Sequence, residues 1–454
     1  MDSGAGNESG KLLDIELDVL AQQPRLNRLY TQVTLCFGLP NDSPLLESKI
    51  INNLKRGIDR LTASFPWVAG IVVSDNGAFK IRQSQDSLAL VVKDLRNDPD
   101  FPTWDILSRS SFPFSMLNED IIAPHRTLAD SDTSTSGLPV FLIQANFIKG
   151  GLLLTFNAQH GSMDMAGQSQ IMHLFAKACR DEPFTPSEIA IGNLDRKTII
   201  DILDDDSDDE LPKHTKKTVS QGQSKQPGSP EHLVWAYFIF SANSLAALKA
   251  LATEAVPADN FVSTDDVLSA FTWQSICRAR MAHLADQQSR ASTLSRNVDM
   301  RRCLSIPPTY PGFVTHSTVH TSPVDVLVQE SVGSVALRLR SALNGPTLSH
   351  QTRLQATRIK GGKDMAAFAT SSVPKLDVRL SSWAKEKCYD LDFGFGKPSA
   401  VRRPRFTQGA REGLVYFLPK ALGGEIAVGV CLRGEDMERL RTEEEFGRLG
   451  TYIG

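Results

Sequence analysis

The stretch KGGLLLTFNAQHGSMDMAGQSQIMHLFAKACR, residues 149–180, changes its hydrophobic period midway, and that change limits what the chain can fold into. Gly150-Gly151 reads as a turn into Leu152-Leu153-Leu154-Thr155-Phe156, a short apolar run with the length and flanks of a buried strand. Beyond Asp164, Ile171, Leu174, Phe175 and Ala178 fall at helical spacing and predict an amphipathic helix. His160 and Gly161 therefore stand where strand gives way to helix, with Asp164 in or beside the first helical turn. A side chain at such a junction is supported from behind and open to a cleft in front. The apolar run at 140–147, on the other side of the glycine turn, completes a hairpin that delivers His160.

Around this hairpin the chain reads as a mixture of helices and strands in both halves. Strands are expected over 12–20 and 26–39. Ser43-Pro44 then supplies an N-cap with proline at the first helical position. Leu46, Ile50, Leu54, Ile58, Leu61 and Phe65 form the buried stripe of the helix that follows. Pro66 to Gly70 return the chain to a strand at 71–73, and residues 100–138 read as a long surface loop. The run at 204–210 is almost wholly acidic and 212–230 is rich in Lys, Gln, Ser, Gly and Pro, a composition that cannot bury a core and reads as a solvated linker. The resulting organisation is a disordered stretch at 1–10, a first domain over 11–203, a linker over 204–230 and a second domain over 231–454. In the second domain a strand is expected over 232–240, with helices led by Ser241 and by Ser263-Thr264. A single helix over 324–343 would open at Ser322-Pro323. Strands follow at 376–380 and 414–418, with the last at 426–432.

Bulk properties exclude several classes of function. The chain has 454 residues, 41% of them hydrophobic, enough for two ordinary domains. A formal net charge of −3, with lysines and arginines scattered, leaves no nucleic-acid footprint. The longest apolar runs fall far short of the roughly 20 residues that cross a bilayer, so no membrane partner is expected. The first residues show no secretory pattern, and the six cysteines are dispersed without a C-x-x-C pair. These features predict a cytoplasmic protein without a disulfide framework. No G-x-x-x-x-G-K-[ST] or G-x-G-x-x-G is present, so nucleotide hydrolysis and dinucleotide binding have no support. His160 and Asp164 lack further ligands at metal spacing, and no metal is expected.

Of the nine histidines, only His160 has an aspartate four residues on, and it alone sits between a buried strand and an amphipathic helix. A histidine serves as a base near neutrality with little adjustment. The sequence His160-Gly161-Ser162-Met163-Asp164, with Asp392-Phe393-Gly394-Phe395-Gly396 far downstream, resembles the paired H-x-x-x-D and D-F-G-x-G signatures of the BAHD acyl-CoA-dependent acyltransferases. Within that superfamily it is most similar to the fungal trichothecene 3-O-acetyltransferases. Asn146–Gly151, Asn193–Ile199, Val262–Asp266, Ser381–Lys385 and Val401–Pro404 match that subgroup, and the resemblance runs from about Leu13 to the end of the chain. Two positions depart from the wider family, which usually has Gly where this chain has Met165 and Trp where it has Phe395.

The resemblance implies a two-domain α/β fold of the chloramphenicol acetyltransferase type. Each domain would be a mixed sheet flanked by helices, with an active-site channel between them and part of 350–400 packing back on the first domain. It implies that His160 takes the proton of an acceptor hydroxyl as that oxygen attacks acetyl-CoA in a ternary complex. The acceptor would be the C-3 hydroxyl of a trichothecene-type sesquiterpenoid. Asp164 would turn away from the substrate and pair with Arg301, and Asp392 would clamp a turn. Ser381 and Trp383 would face the developing oxyanion. Ser263 and Thr264, at a helix start, offer backbone N–H groups for the coenzyme's phosphates or simply an N-cap. A monomer is expected. One alternative is a different alcohol or amine acceptor. Another is a non-catalytic relative of condensation domains, in which a second histidine commonly precedes the first. Here that position is Gln159.

Overall fold

The computed structural model describes residues 13–84, 88–129, 137–203, 233–283, 291–362 and 376–454. The expected disordered stretch at 1–10 and the linker at 204–230 lie outside the described residues. The chain folds into two sheet-centred lobes with helices packed on them. The hairpin and helix read from residues 149–180 are at the middle of the first lobe. Phe141–Ile148 and Gly151–Gln159 pair antiparallel, and every residue of the second strand is buried. The helix Met165–Cys179 follows, capped by Asp164, whose side chain accepts from the Gly167 amide. On the far side of Gly151–Gln159 lies Tyr30–Gly38, and beyond it Ala400–Arg402, a strand returned from the second half of the chain. Leu90–Asp94 closes the other edge of this five-stranded sheet, parallel to Phe141–Ile148.

The second lobe is built on a seven-stranded sheet. Its order is Thr315–Pro323, Ala291–Asp299, Val378–Ser382, Leu414–Phe417, Ile426–Arg433, Leu233–Phe240 and Gly450–Tyr452. The helix Thr264–Arg280 lies in its core, with Val267, Phe271, Trp273 and Ile276 all buried. A third, four-stranded sheet of Asp14–Glu16, Ala78–Arg82, Ile71–Asp75 and Leu138–Pro139 flanks the first lobe.

Several expectations are corrected. The strand expected over 12–20 is only Asp14–Glu16, because the chain turns into a short 3-10 segment at Val19–Ala21 to bury Leu20 and Asp18. The described part of the stretch expected as a surface loop over 100–138 is packed up to residue 129: Phe101, Phe112 and Phe114 are buried, and helices form at Trp104–Arg109 and Glu119–Ile122. Ser322-Pro323 ends the edge strand Thr315–Pro323 instead of opening a long helix, and proline is tolerated there because an edge strand can spare the missing amide. The single helix expected over 324–343 is split into Val324–Leu327 and Val332–Ser341 by a fresh N-cap at Ser331. The strand at 426–432 is not the last, since Gly450–Tyr452 follows two further helices and pairs with Leu233–Phe240.

Two anchors tie the lobes together. Trp235 and Tyr237, from the second sheet, grip the returning segment: Trp235 Nε1 donates to Phe406 O (2.9 Å) and the Arg403 amide donates to Tyr237 Oη (2.9 Å). The Asp392 turn is the other. Asp392 Oδ1 accepts from the amides of Gly394 (2.8 Å) and Gly396 (3.0 Å), both glycines at positive φ, and the turn drives Phe393 into the first lobe. There Phe393 meets Phe156 at 5.7 Å and Phe175 at 5.4 Å. Phe156 also stacks on Phe141 at 5.8 Å, so one ring joins hairpin, helix and downstream turn. Phe156→Ala should therefore destabilise the protein by about 3–5 kcal/mol, read as a lowered midpoint of urea unfolding. A change below about 1 kcal/mol would show that the surroundings collapse to fill the space.

Candidate active site

His160 occupies the first position after the strand Gly151–Gln159, and its backbone is fixed by a hydrogen bond from its amide to Leu29 O (2.8 Å). Its Nδ1 lies 3.2 Å from Thr31 Oγ1, and Phe313 packs edge-on against the ring at 5.4 Å. Nε2 makes no hydrogen bond among the described residues, and His160 lines a large cavity. Burial holds the imidazole below its ordinary value of 6.5; Asp164 and the Met163 backbone favour the protonated ring, while the Arg403 guanidinium acts with burial. The arrangement presents a neutral imidazole, oriented through one nitrogen and free at the other. Gly161 is required beside it, since a Cβ there would sit 2.1 Å from Asn27 Oδ1.

Asp164 stands at the cavity wall with both carboxylate oxygens taken up by a dense set of donors. Its Oδ1 accepts from the Gly167 amide (2.9 Å) and Arg301 Nη2 (2.8 Å). Its Oδ2 accepts from Arg301 Nη1 (3.0 Å), the Val314 amide (2.8 Å) and Thr315 Oγ1 (3.0 Å). Arg301, 1% exposed, also donates from Nε to Tyr310 O (2.8 Å), from Nη1 to Asp299 (2.8 Å) and from Nη2 to Gly312 O (2.7 Å). All five of its N–H groups are used. Burial works against its charge, yet Asp164 and Asp299 hold the guanidinium above its ordinary value. Gly167 lets the Pro311 backbone reach this pair, because a Cβ there would lie 2.2 Å from Pro311 O.

A second buried pair, not found from the sequence, lies beside the first. Asp18 Oδ2 accepts from Arg196 Nη1 (3.1 Å) and the Phe313 amide (2.9 Å), and Asp18 Oδ1 from the Tyr310 hydroxyl. Arg196 also donates to Ser162 O (2.6 Å) and stacks over Trp67 at 4.4 Å. Arg196 falls within Asn193–Ile199, so the motif marked the place without the role. Asp18 and Asp164 thus receive the successive amides of Phe313 and Val314 and fix the segment that packs against His160.

The other residues singled out in the sequence fall into three groups. Ser381 and Trp383 line the cavity, but Trp383 Nε1 donates to Ser381 Oγ (3.0 Å), so the hydroxyl of Ser381 rather than the indole is the available donor. Ser263 and Thr264 also line the cavity. However, the amide and hydroxyl of Ser263 both donate to Asp266 Oδ2 (2.8 and 2.7 Å) in a capping box, and Asp265 and Asp266 place carboxylates at the same turn. That leaves little room for an anion. Asp392 makes the glycine turn described above. Arg403 and Glu386 were missed. Arg403, 3% exposed, lies over the rings of Phe406 (4.5 Å) and Tyr416 (4.8 Å). Glu386 lines the cavity and its carboxyl is pushed up to about 7 by burial. Arg403 falls within Val401–Pro404, so that motif marked its place without its role, whereas Glu386 carries no local sequence signal.

The cavity has a volume of about 3160 Å³. That is several times the roughly 300–1,000 Å³ of a site for one small molecule, so two substrates fit together. Residues of both lobes line it, including Tyr30 and Thr31 of the first and Ser381 and Tyr416 of the second. Among the described residues no three His, Cys, Asp or Glu side chains converge as metal ligands. No helix among them is long and apolar enough to cross a membrane.

A channel between two sheet-based lobes, with a histidine at a strand–helix junction and an inward aspartate clamped by arginine, defines a CoA-type acyltransferase architecture. Residues 114–447 match the Transferase family, and residues 29–179 match the trichothecene 3-O-acetyltransferase-like N-terminal domain. The chain belongs to this BAHD transferase family and is an acyltransferase. It is 44% identical to the O-acetyltransferase dmxR13 of Cryptosporiopsis sp., over 97% of this chain and 98% of that one. It is 42% identical to the trichothecene 3-O-acetyltransferase TRI101 of Fusarium sporotrichioides, over the full length of both. The crystal structure of the F. sporotrichioides TRI101 complexed with coenzyme A and T-2 superposes with a TM-score of 0.88 at 41% identity, covering 97% of this chain and 100% of that one.

Two outcomes follow from the geometry. Asp164→Ala leaves Arg301 buried with its main counter-charge removed and should cost about 3–5 kcal/mol in unfolding free energy, whereas His160→Ala should leave the unfolding midpoint close to that of the parent. Burial holds His160, His173 and His316 below 6.5 and His320 at about 4. The unfolded chain takes up these protons near 6.5 and the folded chain does not, so stability should fall as pH drops from 7 toward 5. Urea titrations across that range check the sign.

Proposed function

We propose that the protein transfers the acetyl group of acetyl-CoA to the C-3 hydroxyl of a trichothecene-type sesquiterpenoid, with both substrates in the channel at once. The observation that carries this reading is the uncharged His160, with Nε2 on the cavity and Nδ1 engaged by Thr31. Nε2 accepts the proton of the acceptor hydroxyl as its oxygen attacks the thioester carbonyl, and the same proton leaves with the coenzyme thiol. Positioned general-base catalysis contributes on the order of 10²–10⁴ in rate. Ser381, polarised by the Trp383 indole, donates to the oxyanion of the tetrahedral intermediate, a contribution of about 10²–10³ for a typical donor. Asp164 and Arg301 act as positioning residues that hold the junction carrying His160. The domains are 11–203 and 231–454, and a cytoplasmic location agrees with all six cysteines being unpaired.

A second reading keeps the chemistry and changes the acceptor. It is favoured by the identity to dmxR13, which is as high as that to TRI101. Met165, at the first turn of the helix after His160, lines the cavity where a smaller residue would leave space, and so changes the room open to an acceptor near His160.

Purified protein incubated with acetyl-CoA and trichothecenes bearing or lacking a free 3-hydroxyl, with thiol release followed, separates the two readings. Thiol release only with the free 3-hydroxyl supports the first; release only with other fungal alcohols supports the second. His160→Ala should lower turnover by about 10²–10⁴. The rate of the chemical step should fall on the acid side with a midpoint below 6.5, because the imidazolium cannot accept a proton. Glu386→Gln should leave that midpoint in place, although Glu386 is another channel group that titrates near neutrality. A flat acid limb would overturn the assignment of His160.

A further inference from the structure

Arg402 and Arg403 are neighbours on the segment returned from the second half of the chain, and both are buried. Their surroundings differ. Arg402 donates from Nε to Phe112 O (3.2 Å), from Nη1 to Val401 O (2.9 Å) and from Nη2 to Ser111 O (3.0 Å). Arg403 has no such set. Its Nη2 donates to Thr127 Oγ1 at a long 3.4 Å, its Nε has no partner, and among the described residues no carboxylate stands at ion-pair distance. Glu119 feels its charge, but Glu119 Oε2 is taken by the Thr127 amide (2.6 Å) and Gln32 Nε2 (3.1 Å). Aromatic faces surround the guanidinium instead: Phe406 at 4.5 Å, Tyr416 at 4.8 Å and Trp383 at 5.8 Å. Ring faces hold a cation without neutralising it. A buried guanidinium left short of acceptors is a cost to the empty protein, and a negatively charged oxygen brought to it offsets that cost.

The position of Arg403 is fixed from both lobes. The Tyr237 hydroxyl accepts from the Arg403 amide (2.9 Å) and donates to the Arg403 carbonyl (3.0 Å), so one side chain pins the backbone. On the side of the base, Thr127 O accepts from the Tyr30 amide (2.8 Å), and the next residue, Thr31, engages His160 Nδ1 (3.2 Å). On the other side, Ser381 and Tyr416 are register partners in parallel strands and Trp383 follows two residues on, so the three side chains share one face of the sheet. Trp383 packs on Tyr416 at 5.2 Å and donates to Ser381 Oγ. The guanidinium lies over both of those rings and lines the channel with His160 and Ser381. It therefore stands between the general base and the Ser381 hydroxyl, close enough for its charge to act on the imidazole.

We infer that Arg403 is a further catalytic residue, a guanidinium donor that joins Ser381 in binding the oxyanion formed from the thioester carbonyl. The acceptor oxygen bonds to the carbonyl carbon, the π pair moves onto the carbonyl oxygen, and Arg403 meets that charge with N–H groups that stay protonated throughout. Collapse returns the pair and expels the coenzyme sulfur, which takes the proton held by His160. Donors already in place and linked to a charge are the kind that stabilise such an intermediate most. This role rests on the acyl-transfer reading above and holds for whichever alcohol is the acceptor.

Steady-state thiol release from acetyl-CoA, with the trichothecene or other alcohol that the parent protein uses, tests this in Arg403→Met, Arg403→Lys and Ser381→Ala. Arg403→Met keeps an apolar stem between the rings and should lower kcat by about 10²–10³, with KM for both substrates nearly unchanged, because the contact strengthens only as charge develops. Arg403→Lys should recover part of the rate. In Arg403→Ala, guanidinium chloride far below its unfolding concentration should restore part of kcat, and sodium chloride at the same concentration should not. If Arg403→Met does not fold, judged by urea unfolding, the lysine variant and the guanidinium rescue decide. An unchanged kcat in Arg403→Met overturns the role, as does a raised KM for the alcohol with kcat kept, which would make Arg403 an acceptor contact. A loss of kcat in Arg403→Met with Ser381→Ala at the parental rate leaves Arg403 standing and removes Ser381 from the reading above. A parent protein that releases no thiol with any alcohol offered overturns that reading, and the oxyanion role of Arg403 with it.

Discussion

The buried guanidinium of Arg301 is the contact on which the catalytic region depends. One planar group satisfies two carboxylates and two backbone carbonyls, and it does so across the boundary between the lobes. Its partners are not interchangeable. Asp164 caps the helix that follows His160, Asp299 ends a strand of the second sheet, and Tyr310 and Gly312 belong to the bend between two strands of that sheet. A buried ion pair contributes little net stability against an apolar replacement, but its geometry is exacting. Here that geometry sets where the strand–helix junction lies relative to the second lobe. Asp18 repeats the device from the other side, so the bend at 310–314 is held between two carboxylates.

The rest of the site follows from this placement. The same bend carries Phe313 against the imidazole, and the burial it provides is the main influence keeping His160 uncharged. Thr31, one strand away, orients the ring through Nδ1. The opposite wall comes from the second sheet, where Ser381 and Trp383 are linked to each other before any ligand arrives. Polar groups held in place beforehand need no rearrangement when charge develops, which is the condition for electrostatic stabilisation of an intermediate.

Much of this was legible in the sequence, for identifiable reasons. The hairpin, the junction at His160 and the helix behind it were readable because each is a local pattern with its own period and punctuation. The pairing of Asp164 with Arg301, 137 residues apart, came from resemblance and not from spacing. Asp18 and Tyr310 were not legible, and Arg196 was marked by its motif without its role, since isolated polar residues carry no period and are made a cluster only by the fold. The same holds for Arg403, embedded among aromatic rings from distant strands. Ser322-Pro323 misled because proline after serine opens helices and also ends edge strands, and only the neighbour strand decides between them.

The strand Ala400–Arg402, inserted beside Tyr30–Gly38, has a consequence for how the molecule is made. The edge of the sheet that carries His160 is contributed by residues that leave the ribosome after nearly nine-tenths of the chain. Until then the first half presents an open strand edge, with unsatisfied amides and carbonyls available to any other extended segment. Completion of the earlier lobe thus waits on the later one, and the nascent chain must be shielded from mispairing in the interval.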